Sequence, residues 1–419
     1  MRRAVFVESN TTGTGALAVE RLLARGIPVV FLTRARHKYS VLRDRGPDLE
    51  VIDCETNDDS AVSREVEDQL RQGQVSLLTF SEFYVDVVAR VAERLGLRYT
   101  SAAAVETCRD KFEARRALER AGLRVPRFWR LGSEDEAERL AWHAPYPCVV
   151  KPPRDSSSHG VLRVDGPEEL LAQYRRIAGW TENVRGQRLD GRVLVEELVE
   201  GPEHSVETFT MPACETRVVG VTDKHLGPPP CFVEVGHDFP SRAEASCRQA
   251  LAETALAALG AVGFDFGPAH VEIRRGPEGP VVIEINPRLA GGMIPELVHR
   301  ALGVDLLGAF LDLVLARPVD LEPRAARGAA IRFLVSSEVL TVAGIRGLED
   351  ARRSRGVWEV HLKAAVGDRL QAARDTYDRL GHVIAEGADA GQAAGRAERA
   401  LRKIRIEGAP IPAEGALAS

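Results

Sequence analysis

The chain has 419 residues, 44% hydrophobic and 28% charged, the balance of a globular protein rather than of a disordered or fibrous one. At about 100–200 residues per domain, that is enough for two to four domains. A formal net charge of -5 excludes a broadly basic nucleic-acid surface, and no apolar run reaches the roughly 18 residues of a membrane-spanning helix.

In chain order, residues 4–7 read as a short strand, 9–15 as a turn, 16–25 as a helix stopped by Gly26, and 28–32 as a second strand. That order predicts a parallel βαβ unit. The turn lacks G-x-G-x-x-G, so a tight strand-to-helix connection is expected there rather than a dinucleotide site. Residues 76–80 add a strand and 85–94 a helix ended by Gly96, giving a small open α/β domain over residues 1–105. Asp110 is placed to cap a helix over 111–120. Strands follow at 148–151, 193–196, 204–209 and 217–221, then a helix at 244–259. Two strands at 269–273 and 280–285, joined by the turn-forming stretch 274–279, are expected to pair as a hairpin. A helix is predicted at 296–315. Beyond Pro323 the composition changes, so 329–419 is expected to form a third unit, with a helix over 390–403 capped by Asp389 and a frayed last ten residues. The six cysteines form no C-x-x-C pair, which suits reduced thiols and a cytoplasmic enzyme.

The hairpin carries the first chemical signal. Strand side chains repeat every two residues, so Glu284, Asn286 and Arg288 share one face, and a simple pairing brings Glu272 to them. Two carboxylates and an amide oxygen suit a hard cation such as Mg²⁺, especially when phosphates complete its coordination. The bland alternative is a solvated hairpin face, but Pro287 and the Leu-Ala-Gly-Gly run at 289–292 do not continue as an ordinary exposed strand. A second signal is Lys151, delivered by an apolar strand into a loop holding Ser156, Ser157, Ser158 and Gly160. Such a loop can aim N–H and O–H groups at phosphate oxygens, although G-x-x-x-x-G-K-[ST] is absent and Ser-rich loops are commonly just loops. A third is the acidic stretch with Glu196, Glu197, Glu200 and Glu203 around Gly201-Pro202, which alone would read as surface charge at a hairpin tip. Only six of the 56 basic residues are lysines, so a retained lysine can mark a site needing a compact ammonium, with chance as the even alternative.

Taken together, Lys151-Pro152 with its small-residue loop, the 196–207 acidic stretch, Glu272, and Glu284 to Arg288 resemble the ATP-grasp superfamily in order and spacing. The segment from Pro228 to Pro240 and the Leu-Gly-His-Val-Ile-Ala run at 380–385 are similar to its L-amino acid ligase (dipeptide synthetase) branch. The resemblance implies a mixed α/β (α+β) chain with an ATP-grasp fold: an N-terminal open α/β domain over 1–105, an ATP-grasp domain over 106–328, and a β-rich C-terminal domain over 329–419 that completes it. It implies that Lys111 and Lys151 contact ATP phosphates, that Ser156, Ser157, Ser158 and Gly160 lie in the loop closing over them, and that Glu196, Glu197 and Leu198 line the adenine. It implies Glu203 on the ribose hydroxyls, Glu272, Glu284 and Asn286 on two Mg²⁺ (Mn²⁺ as a substitute), and Arg288 on the reacting carboxylate. Lys224 and His237 are expected in catalysis, and Glu234, His237, Arg288, Gly291 and Gly292 in substrate binding. The loop departs from the glycine-richer pattern of the superfamily by its three serines and His159. The expected activity is an ADP-forming carboxylate–amine ligase, with amino acids as substrates and no nucleic-acid or membrane partner. A homodimer is left open. Rival readings are a biotin-carboxylase-like or purine-pathway ligase, and a nucleotide-binding module without catalysis. The clustered acids count against the last.

Overall fold

The computed structural model describes residues 2–10, 13–39, 42, 46–211 and 215–410. Residues 11 and 12 of the predicted turn, Cys214 and the expected frayed end past 410 lie outside them.

The N-terminal part is a four-stranded parallel sheet in the order Leu49–Asp53, Val29–Thr33, Arg2–Val7, Gln74–Leu78. The two central strands are almost wholly buried because helices Thr14–Ala24, Asp59–Gln72 and Val85–Arg94 cover the sheet, as a parallel sheet requires. The strand Leu49–Asp53 and helix Asp59–Gln72 were not anticipated: the strand is short and only partly buried, and the helix is strongly charged, so neither has a plain apolar pattern.

A small antiparallel sheet follows, ordered Phe128–Leu131, Val193–Glu197, Cys148–Lys151, Leu162–Val164 and covered by helices Glu134–Ala141 and Pro167–Ala178. The main body is an eight-stranded antiparallel sheet. Its order is Gly279–Asn286, Gly267–Gly276, Glu203–Met211, Glu215–Leu226, Glu234–Phe239, Gly328–Leu334, Gly381–Gly387, Val357–Leu362. Strands from beyond residue 328 therefore extend the same sheet that holds the predicted hairpin. Helix Ala245–Val262 packs its alanine-rich side on the first strands of this sheet, and Gly263, at φ 71°, ends it.

Several predicted elements form with small shifts in their ends. Asp110 caps Lys111–Arg120 by accepting from the N–H groups of Phe112 and Glu113. The predicted helix over 296–315 is two helices, Ile294–Leu302 and Leu306–Val314: Gly303 takes φ 74° and Asp305 starts a new cap on the Gly308 N–H. No helix among the described residues is long and apolar enough to cross a membrane.

Candidate active site

The strands Gly267–Gly276 and Gly279–Asn286 set Glu272 directly opposite Glu284, and His270 opposite Asn286. Two carboxylates so placed repel each other unless cations answer them. Lysines do so: Lys224 Nζ lies 2.8 Å from Glu272 and Lys111 Nζ 2.7 Å from Glu284. Burial alone would raise the Glu284 carboxyl, but Lys111, with help from Lys151, overrides it and holds it at about 2. No group of three or more His, Cys, Asp or Glu side chains among the described residues is arranged to hold a metal ion by itself. Two facing carboxylates beside an amide oxygen are instead the incomplete set that Mg²⁺ accepts when phosphate oxygens supply the rest.

Lys224 is the centre of this charge network. Its ammonium meets Glu203 at 2.9 Å and both Glu234 and Glu272 at 2.8 Å, with 1% of its side chain exposed. Burial disfavours the charged amine, yet the three carboxylates lift its pKa well above the ordinary lysine range. An ammonium has three protons, and all are committed here. In this arrangement Lys224 is an internal counter-ion that holds three acids in place.

Lys151 is also buried and lies 2.5 Å from Glu196, which pairs in turn with the wholly buried Arg115 at 2.8 Å. The Glu196 carboxylate thus aims Lys151, and only its backbone is left for a ligand. Glu197 turns outward to Arg127 at 3.0 Å. Glu203 is held by Lys224 and by Arg274 at 3.0 Å. Lys111 Nζ donates to the Asp155 carbonyl at 2.9 Å, which ties the serine loop to the hairpin.

That loop is braced on its other side as well. His159 Nδ1 lies 2.8 Å from Asp155, and its ring stacks on Trp180 at 4.5 Å between centroids. Ser157 and Ser158 both take positive φ, at 66° and 58°, a turn that a glycine-richer loop would adopt at lower cost. Gly160 has φ 70°, and a Cβ there would stand 2.5 Å from the Trp180 ring. From the C-terminal part, the Thr376 N–H donates to the Ser157 carbonyl at 3.2 Å.

Arg288 donates to Glu82, a carboxylate from the N-terminal sheet domain that Arg109 also holds at 3.0 Å. Arg288 further donates to the Leu289 carbonyl at 2.9 Å and the Asn286 side-chain oxygen at 3.3 Å. His237 is 1% exposed, and neither ring nitrogen has a hydrogen-bond partner among the described residues. Burial holds its pKa at about 3 despite nearby Glu234, so the ring is neutral. Gly292 has φ 58°, and a Cβ there would come within 2.6 Å of His237 Nε2; glycine leaves the imidazole room. Glu234 is fixed by Lys224 and by Arg379, at 2.6 Å. His225 Nε2 lies 2.9 Å from the Asp238 carboxylate.

These residues line three adjoining cavities. The first, about 780 Å³ of empty space between the small sheet and the large one, is bounded by Lys111, Lys151, the serine loop, residues 196–199 and Glu203. The second, about 670 Å³, holds Glu234, His237, Asn286, Arg288, Gly291 and Gly292. Glu272, Glu284 and residues 156–158 border both. A third, about 1130 Å³, opens beyond Arg288 toward the N-terminal sheet. Glu82, Arg379 and Thr376 were missed in the sequence. Glu82 alone left a trace: it follows the carboxyl end of a parallel strand, where open α/β sheets place ligands.

Residues 144–296 match the ATP-grasp domain family, and residues 319–408 match the family described as L-amino acid ligase C-terminal domain 2. The chain thus carries an ATP-grasp domain over the first of these stretches and an L-amino acid ligase C-terminal domain over the second. A protein of Sinorhizobium fredii named Uncharacterized protein y4rH is 28% identical, over 96% of this chain and 83% of its own length. Alanine--anticapsin ligase of Bacillus amyloliquefaciens is 26% identical over 57% of this chain, and the match spans just over half, 53%, of that ligase. The crystal structure of L-amino acid ligase from Bacillus licheniformis superposes with a TM-score of 0.81 at 21% identity, over 97% of this chain and 99% of that one, which shows a shared fold. The chain is thus related to carboxylate–amine ligases that use ATP.

Proposed function

We propose that the protein joins a carboxylate to an amine in an amide bond through an acyl phosphate, releasing ADP and phosphate, with amino acids as the substrate class. The observation that carries this reading is the Glu272–Glu284 pair, set where the lysine-lined cleft meets the Arg288 cavity. One oxygen of the carboxylate substrate attacks the γ-phosphorus of ATP, the β–γ bridging bond breaks, and ADP departs. The amine nitrogen then attacks the acyl carbon, loses a proton and expels phosphate. Lys111 and Lys151 hold phosphate oxygens, with the backbone of residues 196–198 along the adenine and Glu203 at the ribose. Glu272, Glu284 and Asn286 would hold Mg²⁺ (or Mn²⁺), which offsets the charge of the β- and γ-phosphates when bound. Arg288 binds the reacting carboxylate and then answers the oxyanion of the tetrahedral intermediate; losing one such aimed donor costs about 10²–10³ in rate. His237, kept neutral, accepts a hydrogen bond from an amine and positions it, while Glu234 supplies the opposite charge. The serine loop, braced by Lys111, Trp180 and Thr376, keeps water from the acyl phosphate. The test is ADP release with ATP and Mg²⁺ across a matrix of amino-acid pairs, with mass detection of the product. Release that depends on both amino acids supports the reading. Release stimulated by bicarbonate alone would replace it with a carboxylase.

A further inference from the structure

A basic cavity lies apart from the cleft, on the outer side of the C-terminal part of the chain. About 770 Å³ of empty space is bounded there by Ser354, Arg355, Gln392, Arg396, Arg399 and Lys403. Helix Ala390–Leu401 buries its alanines against the large sheet. That leaves Gln392, Arg396, Arg399 and, just past its end, Lys403 at i, i+4, i+7 and i+11, on one outward stripe. Ser354 and Arg355 meet the stripe from the turn between helix Leu348–Arg352 and strand Val357–Leu362. The far end of that strand leads to Lys363, which borders the cavity beyond Arg288. At about 3.3 Å per residue, the strand alone separates the two places by roughly 17 Å.

The charges of this cavity are not compensated. No carboxylate lines it. Lys403 Nζ donates to the Ser354 hydroxyl at 2.8 Å and to the Asp350 carbonyl at 3.2 Å, and Arg396 donates to the Glu386 carbonyl at 2.7 Å. Those acceptors are neutral, so they fix two cations in place and leave their charge intact. The Glu398 carboxylate is engaged by Arg332 at 3.0 Å and the Glu386 carboxylate by Arg300 at 2.7 Å. Arg355 and Arg399 have no hydrogen-bond or ion-pair partner among the described residues. Like charges three and four residues apart on a helix repel, so the stripe costs the free protein stability. Glycines make room for it. Gly356 has φ 77°, and a Cβ there would stand 2.6 Å from Arg396 Cδ; a Cβ on Gly395 would stand 3.1 Å from Arg399 Nη1.

The donors point to a class of ligand. A carboxylate is flat, and one guanidinium fork saturates its two oxygens. Three guanidiniums and an ammonium, presented from a helix and from a facing turn, offer more donors than that, and phosphoryl groups have the oxygens to take them. The lining holds no aromatic face for a base and no acid for ribose hydroxyls. We propose that this cavity is a second anion site, separate from the nucleotide cleft, that binds a compact inorganic oligophosphate of pyrophosphate size through Arg355, Arg396, Arg399 and Lys403.

The test is calorimetry on the full chain with pyrophosphate and with citrate, at matched ionic strength and without Mg²⁺. Pyrophosphate can also enter the nucleotide cleft, so the site is identified by the binding that the paired substitutions Arg355→Gln and Arg399→Gln remove. Both residues are exposed. Loss of two charged donors should weaken pyrophosphate binding here by at least about 10-fold. The affinity for a non-hydrolysable ATP analogue with Mg²⁺ should stay that of the wild type. Arg399→Lys keeps the charge without the fork and should give an intermediate loss. Citrate, with comparable charge on flat carboxylates, should bind at least about 10-fold more weakly than pyrophosphate. Pyrophosphate binding that is unchanged in the double variant would overturn the site. Citrate binding as tight as pyrophosphate would overturn the ligand class, and a parallel loss of the ATP analogue would overturn the separation from the cleft.

Discussion

Arg288 and Glu82 are 206 positions apart in the chain, yet the guanidinium of one rests on the carboxylate of the other. On the proposed reading the contact ties the N-terminal sheet domain to the reacting centre, because it sets the direction of Arg288, the residue proposed to bind the substrate carboxylate. Glu82→Gln keeps the shape and removes the charge. It should lower kcat by about 10²-fold, the cost of a small misplacement at a reacting centre, with KM for ATP little changed. Steady-state ADP release, with urea unfolding as a control for stability, checks this. An equal rise in KM for ATP would show that Glu82 supports the fold at large.

Lys111 and Lys151 hold the Glu284 carboxyl at about 2 against burial, so it is charged at neutral pH. Glu284→Gln should cut ADP release by at least about 10²-fold and shift the Mg²⁺ concentration needed for half-maximal rate upward. The amide keeps the volume but removes the ion pair with Lys111, so the unfolding midpoint should fall as well, and the rates are compared at a temperature where both proteins are folded. Normal turnover in this variant would remove the metal assignment.

Lys224→Met tests the counter-ion role. It takes the shared cation from Glu203, Glu234 and Glu272 and leaves them to Arg274, Arg379 and His270; removing one partner of a buried pair costs about 3–5 kcal/mol. The Glu203 and Glu234 carboxyls are raised by burial but brought below the usual range by Lys224. A depressed carboxyl pKa gives stability that is present above its unfolded value, near 4.5, and lost as the pH falls through the folded value. The gap between wild type and variant in urea unfolding should thus be full at neutral pH and shrink in acid. A gap independent of pH would mean that lost packing, not charge, is the cause.

How far the sequence showed this site depends on the range of the interactions. The hairpin was legible because two-residue alternation puts Glu284, Asn286 and Arg288 on one face, and the observed pairing set Glu272 against Glu284. Asp110 was legible because a cap acts over three residues. The strand Glu234–Phe239 was not read as one: three prolines precede it, and Gly236 and Asp238 break the apolar pattern. Asp238 is tolerated inside because Arg332 meets it at 2.6 Å, from a strand that no local pattern ties to it. The break at Gly303 was hidden by apolar residues on both sides. Glu82, Thr376 and Arg379 reach the site from distant parts of the chain, and nothing within the segments of the last two marks that meeting.

The His159–Asp155 pair makes the serine loop sensitive to pH. The hydrogen bond to Asp155 raises the His159 pKa, and partial burial opposes this without cancelling it. A raised histidine pKa gives stability that is complete below the unfolded value, 6.5, and lost as the pH rises through the folded one. Protonated His159 holds Asp155, whose second oxygen accepts from the Ser156 N–H at 2.8 Å and whose carbonyl meets Lys111. The amides of residues 156–160 should therefore show greater hydrogen-exchange protection at about pH 6 than at about pH 8.5, after correction for intrinsic exchange. His159→Gln keeps a donor and a flat side chain for Trp180 but cannot titrate, so its protection should stay level over that range. A wild-type loop equally protected at both pH values would show that Lys111, Trp180 and Thr376 hold it without the charge on His159.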